Sequence, residues 1–323
     1  MIETAPIHFA PILKSVIWGG DKIATFKNIE TTQTSIGESW EISAVPGANS
    51  VVDRGRYEGL TLTELVEKFG AELVGGPVYE KYGNLFPLLV KIIDAQADLS
   101  VQVHPDDALA EARHGCKGKT GMWHIIDTAP GAKIYAGLAE ALTPDSYERR
   151  VADNTIMDAI AAYDSAPGQT YFLPAGRIHA IGAGNLLAEI QQTSDITYRI
   201  YDYDRRDAQG NPRELHTEQA RDAIDYTVLP DYRTSPKEGG ALVECDYFDV
   251  FRTEVSSGET AAIPYTRESF TILMCLGGEA SILHPDGTTY VMRRGDTLLY
   301  PAVVKGLQAV TNEERAILLS AQA

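Results

Sequence analysis

Short apolar runs separated by turn residues dominate the chain and predict a mainly β protein. In residues 1–58, aromatic and β-branched positions are interrupted by glycines and a Pro-Gly pair, a pattern typical of short strands. The run FPLLVKIIDA at 86–95 predicts a buried strand, and residues 99–104 alternate between apolar and polar positions. Strand-like segments resume in TYFLP, NLLAEIQQ and TYRIYDYD, and residues 241–323 form a series of short strands and turns.

Four helical segments interrupt this pattern. Thr61 and Glu64 form a capping box ahead of apolar positions at helical spacing that end before Gly70. A short helix is expected after Pro105, a longer helical block over residues 143–163, and one more helix over residues 217–226. We therefore expect helical insertions at about 60–83 and 106–166 within a β framework.

The turn-rich, polar stretch at 230–240 predicts a linker between two domains. The expected division is a domain at 1–229 that carries the helical insertions, and a smaller β domain at 241–323. A weak internal repeat relates them, because Gly168 precedes Pro174 by the same interval as Gly295 precedes Pro301. Only the first copy continues into a histidine, so no metal site is expected in the second domain.

The charge of the chain restricts its partners. The chain has 28 basic and 45 acidic residues. Its net charge of -17 argues against nucleic acid and against an anionic membrane surface as partners. An anionic small substrate would need Lys and Arg side chains gathered at its site. No export signal or membrane-spanning segment is visible, and the cysteines form no CxxC pair, so a reducing, cytoplasmic setting is expected.

Three polar side chains are candidates for one metal site. Gln102 and His104 are separated by one residue, which on a strand places both side chains on the same face. His179 follows a Pro-Gly turn in PAGRIHAIGAG. Taken alone, His104 is better explained by a structural role, and His179 is compatible with one. The spacing Gly168–Pro174–Gly176–His179, however, resembles the second sequence motif of the cupin superfamily, in which that histidine binds a metal.

Seven segments in order resemble type I mannose-6-phosphate isomerases of the short bacterial form. They are WGG at 18–20, IGESWEIS at 36–43, FPLLVKIIDA at 86–95, LSVQVHPDD at 99–107, GKTGMW at 118–123, PAGRIHAIGAG at 174–184 and QQTSDITYRIYDYDR at 191–205. The resemblance implies a cupin-type jelly-roll barrel followed by a second, smaller β-sandwich of related type. It also implies interconversion of mannose 6-phosphate and fructose 6-phosphate through an enediol.

The resemblance further implies one zinc ion per chain, bound by Gln102, His104 and His179. The family's fourth ligand is a glutamate, and Gly121 stands at that position here. Zinc binding should be weakened, because amide and imidazole donors supply no negative charge, although three protein ligands plus water remain a workable catalytic set. Glu41 and Glu189 are the carboxylates considered as substitutes.

The remaining site residues also follow from the resemblance. Lys119 and Arg199 are expected in the active site, with Ser100 near the phosphate, and Arg199 is expected to stabilise enediolate charge. Asp195 corresponds to an active-site aspartate that orients Arg199 or carries protons. Lys91 is a further candidate near the phosphate, but base rates favour a solvated strand edge for it. The catalytic base stays open.

Two other functions remain open at this point. The first is a catalytically weakened or inactive sugar-phosphate-binding paralogue that lost its ligand at Gly121. The second is another cupin chemistry such as an iron-dependent oxygenase, which needs two histidines and a carboxylate. The expected partner is a small sugar phosphate, and the chain is expected to be a monomer or a homodimer.

Overall fold

The computed structural model describes residues 1–206 and 210–323, and strands make up most of the regular structure. Up to residue 240 the strands are β1 Ile7–His8, β2 Ile12–Gly20, β3 Ile36–Ile42, β4 Ala44–Val45, β5 Ala48–Asn49, β6 Leu88–Ala95, β7 Val101–Val103, β8 Gly121–Thr128, β9 Lys133–Leu138, β10 Ile160–Asp164, β11 Thr170–Leu173, β12 His179–Ile181, β13 Asn185–Gln192, β14 Tyr198–Tyr201 and β15 Arg233–Thr234. Beyond it they are β16 Ala241–Glu244, β17 Asp249–Ser256, β18 Thr260–Ala262, β19 Thr271–Gly277, β20 Glu279–Leu283, β21 Thr289–Arg293, β22 Thr297–Tyr300, β23 Gln308–Val310 and β24 Arg315–Gln322. The mainly β fold expected from the sequence is confirmed.

Helices occupy the connections between strands. They are α1 Lys22–Lys27, α2 Leu62–Phe69, α3 Ala71–Val74, α4 Gly76–Tyr82, α5 Asp107–His114, α6 Pro144–Ala152 and α7 Thr217–Ala223, with 3-10 turns at Ile156–Ala159 and Glu238–Gly240. Both halves of the predicted capping box are present at the start of α2, where Thr61 accepts from the Glu64 N–H and Glu64 accepts from the Thr61 N–H. No helix among the described residues is both long and apolar enough to cross a membrane.

Two facing sheets dominate the first part of the chain. One has the strand order β15-β11-β8-β13-β6-β2-β3 and the other β10-β9-β12-β7-β14. The central strands β6 and β13 are buried along their whole length and pair antiparallel, so side chains from both line the space between the sheets. This space holds the candidate site.

The second part of the chain has its own pair of sheets. Their strand orders are β1-β22-β19-β24-β17-β16 and β18-β23-β20-β21, so the only strand that the first part contributes to them among the described residues is β1. The two parts also share apolar packing, since the rings of Phe86 and Phe270 lie 4.5 Å apart between centroids. The division at 230–240 stays a prediction.

The expected helical block at 143–163 is only partly correct. Helix α6 ends at Ala152, and Ile160–Asp164 is strand β10, which pairs antiparallel with β9. The proposed insertion at 106–166 likewise contains the sheet strands β8 and β9 besides its helices. Of the apolar residues whose spacing suggested a longer helix, Ile156 and Met157 lie in the 3-10 turn, and Ile160 supplies the one buried position of the edge strand β10.

Candidate active site

A cavity of about 320 Å³ lies between the two large sheets and gathers most of the predicted site residues. Both sheets contribute, with Trp123 and Glu189 from one and Gln102 and Arg199 from the other. Four cationic and three carboxylate side chains line it; they are Lys91, Lys119, Arg199 and Arg213, and Glu38, Glu189 and Asp195. A chain of net charge -17 thus presents a cation-rich surface here, as an anionic substrate requires.

Gln102, His104 and His179 come together beside the cavity. β12 pairs with β7 so that His179 lies opposite Gln102, and their side-chain Nε2 atoms are 3.5 Å apart. The rings of His104 and His179 are 4.8 Å apart between centroids. The predicted convergence of these three side chains is therefore present, and their role as metal ligands stays a prediction.

A backbone turn positions His179 next to Gln102 and His104. The Arg177 N–H donates to the Pro174 carbonyl, which closes a turn, and Gly176 within it has φ +87°. The Gly176 N–H also donates to the carbonyl of His104 at 2.9 Å. The turn is thus held directly against the segment that carries His104. A residue with a side chain would be strained at the positive φ of Gly176.

Both histidines are held in the tautomer that a metal needs. The Nδ1 of His104 lies 2.9 Å from the Ile196 carbonyl and that of His179 lies 2.7 Å from the Arg177 carbonyl. Because a carbonyl only accepts, each Nδ1 carries the proton and each Nε2 keeps its lone pair. Burial holds the pKa of His104 well below its ordinary value and lowers that of His179 to about 4.

These donors fit a divalent ion such as zinc. The Nε2 of His104 is buried and has no hydrogen-bond partner among the described residues, so its lone pair is aimed into the protein without compensation. No group of three or more His, Cys, Asp or Glu side chains in the described parts of the chain could hold a metal, so a set at this place would need the Gln102 side chain besides the two histidines. Neutral imidazole and amide donors are compatible with zinc.

Lys91 is buried, contrary to the solvated strand edge that base rates favour. Its Nζ lies 3.3 Å from Glu189 Oε2 and 3.6 Å from Glu38 Oε2, and its side chain is 7% exposed. Burial alone would lower the pKa of Lys91, but the two carboxylates outweigh it and raise that pKa above its ordinary value. Lys91 is therefore a charged and fully partnered group.

Lys119 is equally buried but makes no ion pair. Its side chain forms no hydrogen bond or salt bridge with other described residues, and it faces the cavity. Burial lowers the pKa of Lys119 to about 8; the Glu189 carboxylate opposes this shift, and the Lys91 charge adds to it. This ammonium is available to a ligand.

Arg199 lies beside the metal-type donors, because β14 pairs with β7 with Arg199 opposite Gln102. Its Nη1 donates to the Glu214 carbonyl at 2.9 Å, while its buried Nε has no partner among the described residues. Ser100 is buried and lines the same cavity. Both residues therefore line the candidate cavity, and their roles in substrate binding and catalysis stay predictions.

This chain is similar to known proteins of one family over most of its length. Residues 7–121 match the family model described as phosphomannose isomerase type I, catalytic domain. The chain is 36% identical over 307 residues to mannose-6-phosphate isomerase ManA of Bacillus subtilis, covering 93% of this chain and 94% of that protein. The chain belongs to the type I mannose-6-phosphate isomerase family. Mannose-6-phosphate isomerase of Streptococcus mutans is 34% identical over 314 residues, covering 94% of each.

The solved structures agree with this family assignment. The crystal structure of the mannose 6-phosphate isomerase from Bacillus subtilis superposes with a TM-score of 0.85 at 32% identity, covering 98% of this chain and 99% of that one. The similarity to such isomerases over nearly the whole chain does not favour the inactive paralogue considered from the sequence.

Gly121 is the point where this member of the isomerase family departs from the expected ligand set. It begins β8 and lies opposite Gln191 of β13. A Cβ added to Gly121 would lie 3.1 Å from the Gln191 Cβ, closer than side chains ordinarily approach. Glu41 cannot replace the missing carboxylate, because its Oε2 binds Lys27 at 2.7 Å and it does not line the cavity.

Glu189, the other proposed substitute, does lie in the cavity wall, but both of its oxygens are already bound. Trp123 Nε1 donates to its Oε1 at 2.8 Å and Lys91 lies at its Oε2. Burial alone would raise the pKa of Glu189, but the charges of Lys91 and Lys119 and the Trp123 hydrogen bond lower it to about 2.

Asp195 lines the cavity but does not orient Arg199. No hydrogen bond or ion pair joins the two side chains among the described residues, and Asp195 is exposed. It also borders a second cavity of about 470 Å³. Its expected role as the partner of Arg199 therefore lacks a contact, and a role in proton transfer stays a prediction.

Sequence reasoning missed a second arginine at the cavity. Arg213 lines it and is held by Asp202, with Nε 2.7 Å from Oδ2 and a further contact from Nη2 to Oδ1. Arg205 binds the same carboxylate at 2.6 Å. Arg213 lies outside the segments that carried the family resemblance, so only its tertiary position reveals it. Glu38 was also missed, although its alternation with Trp40 in IGESWEIS is a recognisable signal.

Proposed function

We propose that this protein interconverts mannose 6-phosphate and fructose 6-phosphate, as the names of its relatives state for them. The observation that supports it best is a cavity in an acidic chain that is lined by Gln102 and four cationic side chains, with His104 and His179 packed beside it. The reaction needs no oxidant, because the C2 hydrogen moves to C1 as a proton while the O2 hydroxyl proton is lost and O1 gains one.

Gln102, His104 and His179 would hold zinc, one ion per chain. A bound zinc ion supplies a Lewis acid that polarises the sugar oxygens. The neutral imidazoles need not lose a proton before they bind it, because both titrate well below pH 7.

The polar and cationic side chains of the cavity divide into two roles. Lys119 and Ser100 bind the phosphate, where an ammonium without an ion-pair partner is the group free to take up an anion. Arg199 stabilises the negative charge that develops on the enediolate oxygens, since its buried Nε is unpartnered. Arg213 adds positive charge to the same wall.

A reducing, cytoplasmic setting is part of the proposal. Cys116, Cys245 and Cys275 are all free thiols, and Cys275 is buried. Chains in oxidising compartments are more often stabilised by disulfides. The state of association, monomer or homodimer, stays a prediction.

The test is conversion of mannose 6-phosphate by the purified, zinc-loaded protein, followed through coupled consumption of fructose 6-phosphate. We expect turnover that is lost on chelation and restored by zinc, with one ion per chain by elemental analysis. A folded, metal-loaded protein that binds sugar phosphate without turning it over would contradict the proposal and favour a binding protein.

A further inference from the structure

A glutamine side chain beside Gly121 has the properties of an unused metal ligand. Gln191 is fully buried at 0% exposure, lies opposite Gly121 across the β8–β13 pair, and is two residues from Glu189 of the cavity wall. Residues two apart on a strand face the same side. The Gln191 side chain therefore points toward the space between the sheets, where Gly121 places no side chain of its own.

The orientation of the Gln191 amide is fixed by its hydrogen bonds. Its Nε2 donates to the Ser194 carbonyl at 2.6 Å and to the Gln192 carbonyl at 3.1 Å. Rotating the amide would bring its oxygen against two carbonyl oxygens, so the observed assignment is the favourable one. The Oε1 atom is then left buried with no partner among the described residues.

His104, on the side of the opposite sheet, likewise has one atom that donates to a loop carbonyl and one buried acceptor without a partner. Its Nδ1 donates to the carbonyl of Ile196, two residues beyond Ser194 in the same loop, and its Nε2 is also buried without a partner. Both side chains are anchored on one loop, and each keeps a free lone pair. If nothing binds that lone pair, each buried acceptor lowers the stability of the fold by about 1–3 kcal/mol. A cation that accepts both lone pairs would remove that cost.

We propose that Gln191 Oε1 is a metal ligand of this chain, joining Gln102, His104 and His179 in a set of four neutral donors. The proposal rests on the proposed function, since it concerns the same ion. An amide oxygen supplies no formal charge, so the site should bind zinc more weakly than a site with a carboxylate and should leave the ion more electrophilic.

Cobalt(II) is the probe, because its visible absorption reports coordination independently of turnover. Chelator-treated native protein and the Gln191→Ala variant are titrated with Co²⁺. The matched control is Gln192→Ala, the same residue type one position on, whose amide points to the other face and binds the Thr120 N–H and Asp107. Gln191→Met, of similar volume and without the oxygen, serves if the alanine variant fails to fold.

We expect the Gln191 variants to bind Co²⁺ at least about tenfold more weakly, because outer-shell changes alone cost about 10–100-fold. Their absorption band should also change, while Gln192→Ala matches the native protein. A single water bridging the two free lone pairs is the competing explanation. It predicts native Co²⁺ affinity and an unchanged band for the Gln191 variants, and that result would overturn the proposal.

Failure of the proposed function gives a different result. Native protein that neither binds Co²⁺ nor isomerises with zinc overturns both proposals. Native protein that binds and isomerises, with Gln191 variants indistinguishable from it, overturns only the role of Gln191. A further check uses Gly121→Glu: its carboxylate should take over the position, so that adding Gln191→Ala costs less affinity than it does in the native chain.

Discussion

The unpartnered Lys119 predicts how activity depends on pH. Its ammonium is buried against the cavity without an ion pair, and burial lowers the pKa of Lys119 to about 8. If the charged form binds the substrate phosphate, kcat/KM must fall as the pH rises through this value, because kcat/KM reports the free enzyme.

The size of the fall follows from the same pKa. About nine tenths of Lys119 is charged at pH 7 and about one tenth at pH 9, so kcat/KM should drop about tenfold between them. Lys91 does not titrate in this window, because its carboxylate partners raise its pKa, and a guanidinium such as that of Arg199 stays charged throughout it.

The measurement is kcat/KM for mannose 6-phosphate from pH 6.5 to 9.5 with the zinc-loaded protein. Lys119→Arg is the matched variant, because a guanidinium keeps its charge and should flatten the profile whatever its absolute rate. A flat native profile would show that the ammonium does not contact the phosphate. A rise through pH 8 would show that the neutral amine is the active form and would make Lys119 a proton acceptor instead.

Four further outcomes are expected. Lys119→Met should raise the free energy of unfolding at pH 7 by up to about 3 kcal/mol, because a lowered lysine pKa means that folding disfavours the charged form. This gain in stability should vanish above about pH 10.5, and chemical denaturation at both pH values measures it. Arg199→Ala should lower kcat far more than it lowers Tm, since the lost contact is strongest in the transition state; unchanged turnover would remove Arg199 from the reacting centre. Gly121→Glu should bind zinc at least about tenfold more tightly by competitive chelator titration, and no gain would refute the reasoning that a carboxylate at this position binds the ion better than neutral donors do. Glu189→Ala should cost about 3 kcal/mol of stability because it removes one partner of the buried Lys91, whereas a loss below 1 kcal/mol would mean that Glu38 alone suffices.

Local signals in the sequence predicted local structure well. The capping box at Thr61 marked the start of α2, and the Pro-Gly turn before His179 marked where a strand would present that side chain. Both depend on residues within a few positions of each other. Strand alternation predicted that Gln102 and His104 share a face, and both lie close to His179 although β7 ends at Val103.

Contacts between segments distant in the chain determined the features that the sequence pattern did not predict. Residues 160–164 carry apolar spacing that a helix tolerates, but they pair with β9 along an antiparallel register and become a strand. The hydrophobic periodicity of residues 160–164 does not reveal that β9 lies beside them in the fold. Arg213 reached the cavity for the same kind of reason, through the Asp202 carboxylate that holds its guanidinium.

The two buried lysines of the site show why residue type alone was a poor guide to role. Lys91 and Lys119 share burial and a cavity, but only Lys91 has carboxylates from neighbouring strands, Glu38 and Glu189, within 3.6 Å. A paired cation offers little to an incoming anion, because its charge is already compensated, whereas an unpaired one gains a partner when the anion binds. The chain retains an ammonium that folding disfavours, and a substrate phosphate would repay that cost. The same reasoning predicts that inorganic phosphate stabilises the native protein more than it stabilises Lys119→Met.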